Sequence, residues 1–359
     1  MHDGMRGTGP ARRTPFVYPA AVRSAIMVIA IVVLAMAFWK LSFVALLAFA
    51  GVLIAVLLRH AANALARHTP LSPTVGVIAV VLTVIAVIVA FFMTLGPRIA
   101  SEMGQIAQIL PETIRDIESM LQNQSWGDFV LRQLPDPRDG TDWNVFGAIG
   151  GTLSTVISAA TNIVVLVSVA VFLAVNPGLY RRGVLHLVPR QHRDRAGEVL
   201  DALGQNLWFW LLGQMVDMAF VAVLTGLGLW LIGVPLAVTL GLIAGITNFI
   251  PYVGPFISAV PAILIAFANE PSDAIWTAVV FIAVQQLEGN VLMPLIQKRA
   301  VSLPPALSVL AILAFGVMFG FIGLLIATPL MLSVMVLVQM LYVQDVLEDD
   351  EVSPKVDSS

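Results

Sequence analysis

Apolar residues run through this chain in long blocks separated by short polar interruptions, and most blocks are long enough to predict helices that cross a bilayer. Val22–Trp39 and Leu41–Leu58 follow one another, with a turn expected near Lys40, and Val75–Leu95 is a third block after the basic loop 59–73. Leu153–Val175 is a fourth, stopped by Asn176-Pro177-Gly178. A fifth is bracketed by Trp208 and Trp210 at one end and Trp230 at the other. Twenty residues at 1.5 Å each give about 30 Å, the hydrocarbon thickness, and tryptophan favours both interfaces. Ala274–Met293 is a further span, closed by Pro294. The pattern predicts an all-α polytopic membrane protein with about six full transmembrane helices and two broken or re-entrant hairpins. The first 21 residues, polar and arginine-bearing, are expected to be a tail. They and Val22–Trp39 also resemble a signal peptide, but the second apolar run follows at once and favours two uncleaved spans.

The first predicted hairpin, 234–268, holds the stretch Thr247–Pro261, TNFIPYVGPFISAVP. Pro251, Gly254 and Pro255 each remove a donor or loosen the backbone, so a helix is expected to break there. In lipid, broken backbone is tolerated where protein or a water-filled cavity shelters it, and transporters commonly hold cargo at such breaks. A short loop outside the lipid is the alternative. The arms Pro235–Ile250 and Phe256–Ala268 would be roughly 24 and 20 Å long as helices, short for a full crossing. The second unit, 304–342, starts at Pro304-Pro305 and passes Gly316–Gly323. Tyr-Val-Gly (252–254) and Phe-Ile-Gly (321–323) each lead on to a proline, Pro261 and Pro329, which suggests a duplicated hairpin with hinges at Gly254, Pro261, Gly320, Gly323 and Pro329. The GxxxG pairs Gly241/Gly245 and Gly316/Gly320 predict close helix packing.

Between spans, 96–150 is the one long polar segment. Ile99, Met103, Ile106, Leu110, Ile114, Ile117 and Leu121 recur every three or four residues, predicting an amphipathic helix that Pro111 kinks or divides. It lies on the lipid, packs on neighbouring spans, or serves as a binding lid. Leu134–Thr141 reads as a loop. The transport core is expected over 151–343, and 344–359 as an acidic tail.

Composition agrees: 58% of residues are hydrophobic and 11% charged, far from the mix of a soluble domain. There is no cysteine, and all five histidines fall outside the apolar spans, so neither a thiolate nor a histidine metal site is expected in the membrane. No GxxxxGK[ST] loop is present, no nucleophile–base pair suggests an enzyme, and no cofactor or nucleic-acid partner is expected. With the N-terminus in the cytoplasm of a bacterial inner membrane, fourteen of the nineteen Lys and Arg residues lie inside, and the C-terminus is cytoplasmic too.

Two carboxylates sit inside apolar spans, Asp217 and Glu288. Such a residue costs on the order of 3 kcal/mol at a helix centre, so it usually faces a cavity or a partner. Counting from the flanking tryptophans puts both at nearly the same depth. Gln214 lies one turn before Asp217 and Gln285 one turn before Glu288, with Gln286 and Asn290 nearby. Interhelical hydrogen bonding that holds the bundle together is one reading. A solute or ion pathway lined by Gln214, Asp217, Asn248, Pro251, Tyr252, Gly254, Pro255, Gln285, Gln286, Glu288 and Asn290 is the other. No fixed cation lies within a span, so a neutral polyhydroxy compound or a cation suits that lining better than an anion.

The runs GQ (213–214), IGVPLAVTLGLIAGITNFIPYVGPFISAVPA (232–262), QQLEGNVLMPLI (285–296) and GFIGLLIATP (320–329) resemble the AI-2E family of bacterial transporters. The resemblance spans roughly Phe43 to Tyr342 and departs from the family's pattern at Gly289 and Pro304. It implies export of a small polyhydroxylated quorum-sensing signal, autoinducer-2, or, as in some members, sodium/proton antiport. It also implies a homo-oligomer, a pentamer, whose hairpins move against a fixed scaffold. Three functions stand: a secondary transporter of a small hydrophilic molecule with possible coupling to H+ or Na+, a monovalent cation/proton antiporter, and a non-transporting membrane scaffold.

Overall fold

The computed structural model describes residues 20–70, 72–122, 153–297 and 303–349. The expected loop at Leu134–Thr141, most of the N-terminal tail and the last ten residues lie outside them. The chain divides into two units, Met1–Ala45 and Leu46–Ser359. The first contributes the N-terminal part of α1 (Ala20–His68), which stays helical through Lys40 instead of turning there. Neither Gly nor Pro occurs from Ala20 to Ala50, so no residue interrupts the backbone ladder.

In the second unit α2 (Pro73–Thr94) starts on a Ser72 cap, with Pro73 at its first position. After Leu95 comes α3 (Gly96–Gln122), which contains Pro111 and is not divided by it. The part of its apolar face around Met103 and Ile106 is packed on protein. Ile106 is fully buried and, with Met103, joins the core formed by the first hairpin. The helices α4 (Leu153–Val175) and α5 (Pro177–His186) meet at a bend of 87°, set by Asn176 before Pro177. A single 40-residue helix, α6 (Arg193–Ile232), then carries the basic stretch and the fifth span together. Among the described residues five helices are long and apolar enough to cross a membrane, six if the α4–α5 pair is one span.

Gly233 ends α6 in the left-handed conformation (φ 92°), with Val234 N–H returning to the Leu229 carbonyl. The first hairpin follows: α7 (Ala237–Thr247), a break, and α8 (Val253–Asn269). α7 lies antiparallel on α6, and glycines set the approach. A Cβ on Gly241 would meet Gly226 and the Ala222 carbonyl at 2.6 and 2.7 Å, and one on Gly245 would meet Ala222 and the Met218 carbonyl, both at 2.5 Å. The first GxxxG pair is therefore a packing seam. α9 (Pro271–Leu287) runs into π-helix over Glu288–Leu292 and then α10 (Met293–Gln297). The second hairpin is α11 (Pro305–Val338), broken at Gly320 (φ 63°, ψ −144°), and a second π-helical segment, Gln339–Gln344, ends it. Because Gly320 is the break itself, Gly316/Gly320 is no helix-packing pair. Arg195 on α6 holds that last segment, donating to the Met340 carbonyl at 3.0 Å and to Gln344 at 2.8 Å, and pairing with Asp345 at 2.8 Å.

Candidate functional site

The antiparallel register of α7 on α6 decides what the hairpin tip touches. Each four-residue step along α7 matches a four-residue step back along α6, from Gly241 opposite Ala222 and Gly226 to Gly245 opposite Met218 and Ala222. The next turn brings Asn248, just past the end of α7, onto Asp217 and Gln214. Asn248 Nδ2 donates to Asp217 Oδ2 at 2.7 Å, and Gln214 Nε2 donates to the Asn248 carbonyl at 3.0 Å. The Gln214 bond matters because the chain stops being helical here and leaves carbonyls without intrahelical partners.

From the other side, α9 supplies Gln285 and Glu288. Gln285 Nε2 donates to Glu288 Oε2 at 3.1 Å, and the Asn248 side chain reaches Glu288 as well as Asp217. One amide thus stands between two acids on different helices. Asp217 is 1% exposed, and its Oδ1 has no hydrogen-bond partner among the described residues. Neither α7, α8 nor α9 carries Lys, Arg or His, so amides alone face the two carboxylates from these helices. Glu288 opens the π-helical stretch, and single-turn π segments are frequent at functional positions because they re-aim side chains.

Of the residues expected to line a pathway, the structure gathers Gln214, Asp217, Asn248, Gln285 and Glu288. It leaves Gln286 and Asn290 on an exposed face, where the Asn290 amide donates to the Gln286 carbonyl and side-chain oxygens, both at 2.9 Å. Tyr252 points away too, 49% exposed. Pro251 lies in the break, but Gly254 and Pro255 lie in the first turn of α8, not across a gap in the helix. A proline is tolerated there because the N–H groups of a first turn have no intrahelical partner. Pro261 and Pro329 sit inside helices, so neither marks a break.

The reversal falls on Tyr252 (φ 65°, ψ −39°), an unfavourable conformation for a residue with a side chain, and on Gly320 in the second hairpin. The glycine after each reversal tucks under the preceding arm. A Cβ on Gly254 would stand 2.0 Å from the Thr247 carbonyl oxygen, and one on Gly323 would stand 2.0 Å from that of Phe315. The two units share this construction, but the residue after Thr247 is Asn248 and the residue after Phe315 is Gly316, so only the first tip presents an amide.

Two polar groups escaped the sequence reading. Glu102, on the buried face of α3, is 6% exposed. It accepts from Arg98 Nε at 2.7 Å and from Thr239 Oγ1 in the first turn of α7. Burial pushes its carboxyl up, but the bonds from Arg98 and Thr239 outweigh this and hold it below the ordinary range. The signal was present in the sequence: Glu102 sits one turn before Ile106 in the apolar stripe.

Apolar spanning helices, a broken hairpin and a polar cluster seated at its tip define a multi-pass membrane transport protein. Residues 26–342 match the AI-2E family transporter pattern, and the chain belongs to that family. It is similar to "Putative transport protein YueF" of Bacillus subtilis (strain 168), 26% identical over 270 residues that cover 71% of this chain and 73% of that one. It is 27% identical to "Putative transport protein YrrI" of the same organism over 69% of this chain and 74% of that one. "Putative permease PerM" of Escherichia coli (strain K12) is 26% identical over 49% of this chain and 53% of its own length.

Proposed function

We propose that the protein is a secondary transporter of a small hydrophilic organic molecule, autoinducer-2-like in its hydroxyl content, and that the tip of the first hairpin is where cargo is sensed. One observation carries this: at the break in an apolar hairpin one amide, Asn248, lies between acids from two other segments, donating to Asp217 and standing near Glu288. A neutral polyol exchanges hydrogen bonds with such amides and carboxylates without needing a fixed cation. Glu288, half-buried at the start of the π-helical stretch, is the acid best placed to change partners when cargo or a proton arrives. A monovalent cation/proton antiporter is the second reading, favoured by the unpartnered, buried Asp217 Oδ1. The bacterial inner membrane, cytoplasmic termini and a homo-oligomeric assembly belong to the same proposal.

The test is a thermal-stabilisation screen of the purified protein against small polyols and against Li+, Na+ and K+ salts, followed by flux in proteoliposomes. A ligand of the native state at a hundred times its Kd adds about 2.7 kcal/mol of stability. Polyol stabilisation that vanishes in Glu288→Gln, with assembly intact, supports the first reading. Sodium-driven proton movement without organic cargo supports the second. No flux of any of them, together with loss of function on deleting the segment 96–150 alone, would instead favour a scaffold.

A further inference from the structure

Among the described residues two acidic side chains are buried, Asp217 in the cluster and Glu102 on α3, about which the transport reading says nothing. Glu102 lies at the opposite end of α7 from the cluster. Thr239, its hydroxyl partner, is in the first turn of α7 and is 2% exposed, while Asn248 follows the last turn. Nine residues of helix separate them, about 14 Å of a rigid rod. The contact is not a surface ion pair. Ile106, one turn further along α3, belongs to the buried cluster of the hairpin core, and α3 packs chiefly along α8, so the Glu102 bond is its polar hold on α7. A buried carboxylate gives less stability than an apolar side chain of its size, but breaking its bonds is costly. That asymmetry suits a contact that holds one arrangement sharply and is lost all at once.

We propose that Glu102 and Thr239 form a latch by which α3 holds the first hairpin in the arrangement that seats Asn248 on Asp217, and that the hairpin opens only when this latch releases. Among the described residues no hydrogen bond links a buried acid to the second hairpin at its break. Its tip is apolar, and the charged contact nearest its end, Arg195, grips the π-helical segment beyond α11. The latch therefore acts on the polar tip and not on its apolar counterpart. It rests on the transport reading only for its purpose, since the latch itself needs no cargo to be detected.

Hydrogen exchange in the full-length protein in nanodiscs tests this, comparing the backbone amides of Phe249, Ile250, Tyr252 and Val253 with those of Phe319–Leu324. Thr239→Val keeps the shape and removes the donor. Hydrogen bonds to charged groups are strong enough that exchange at the first tip is expected to rise about tenfold or more, with the second tip unchanged. The native chain has no cysteine, so Glu102→Cys with Thr239→Cys offers a single bridgeable pair for a short bifunctional thiol reagent. Bridging should slow exchange at the first tip at least tenfold relative to the unbridged form. The bridged form answers the question even if Thr239→Val fails to fold. First-tip exchange that ignores the bridge, or that rises equally at both tips in Thr239→Val, overturns the latch. A latch found in a protein that moves no solute would refute the transport reading and leave the latch standing.

Discussion

Gly254→Ala is the sharpest perturbation available, because the obstacle it creates is backbone on both sides. The added Cβ would stand 2.0 Å from the Thr247 carbonyl oxygen and 2.8 Å from the Asn248 nitrogen. Real Cβ contacts essentially never fall below 3.0 Å, so the end of α7 must retreat by at least 1.0 Å, and no side-chain rotation relieves it. Overpacking of this kind costs about 3 kcal/mol when nothing flexible gives way. The retreat also reaches the cluster, since Asn248 is the next residue after Thr247. Its bond to Asp217, now 2.7 Å, would lengthen to as much as about 3.7 Å, beyond hydrogen-bonding range. Thermal unfolding in detergent should show Gly254→Ala lowered by that amount, and the polyol or cation that stabilises the native protein should no longer do so. Gly323→Ala faces the same 2.0 Å approach, to Phe315, and should lose similar stability while keeping the ligand response, because the tip sequence 315–324 carries no acid. A Gly254→Ala protein within about 0.5 kcal/mol of the parent, with its ligand response intact, would refute both the packing and its link to the site.

Further outcomes are expected. Asn248→Ala leaves both Asp217 oxygens without a donor, which should cost about 2–3 kcal/mol; adding Asp217→Asn removes the stranded charge and should restore much of it. A coupling energy below about 0.5 kcal/mol in that double-mutant cycle would mean that the two residues act independently. Tyr252→Gly should stabilise the hairpin by about 1 kcal/mol or more in denaturant titration, since a positive φ strains a residue with a side chain; a loss of stability would show that the ring's contacts matter more. Glu102 gives a pH signature. Its folded pKa lies below the ordinary 4.5, so its contribution to stability is complete above that value and disappears as pH falls through the lower folded value. Arg98 is the charged partner facing it, because α2, α7 and α8 carry no titratable group. The stability difference between the parent and Glu102→Gln should therefore be flat above about pH 5.5 and shrink below 4.5; a difference unchanged down to pH 3 would show that the charge is irrelevant.

Much of the architecture was legible from local chemistry. Apolar blocks of bilayer length announce spans whatever they pack against, because lipid demands them. Proline and glycine around Pro251 and Gly320 announce breaks because their backbone effects do not depend on neighbours. The period of α3 and the isolated acids at Asp217 and Glu288 were equally plain. Lys40 misled, since a charge in an apolar run resembles a turn, yet only glycine or proline would have interrupted the helix, and neither is there. Pro111, expected to kink or divide α3, does not divide it: flanking good helix formers carry the helix through.

Register and direction were beyond the sequence. Spacing put Gln285, Gln286, Glu288 and Asn290 close together, but only the packed helices turn Glu288 towards Asn248 while Gln286 and Asn290 face outward. The π-helical stretch over Glu288–Leu292 was not foreseen from the spacing, although Gly289 lies within it and Pro294, which lacks an N–H, follows it. Asn248 meets Asp217 because Gly226, Gly241 and Gly245 let two backbones slide together in a single register, a steric fit between segments separated along the chain. Glu102 could be seen as a flaw in an apolar stripe, but its partner Thr239 lies 137 residues away. Hydrophobicity is a property of each segment alone, so the sequence by itself determined which parts enter the membrane and where they break. Hydrogen bonds need two groups placed to within a fraction of an ångström, and that placement was decided by the tertiary structure.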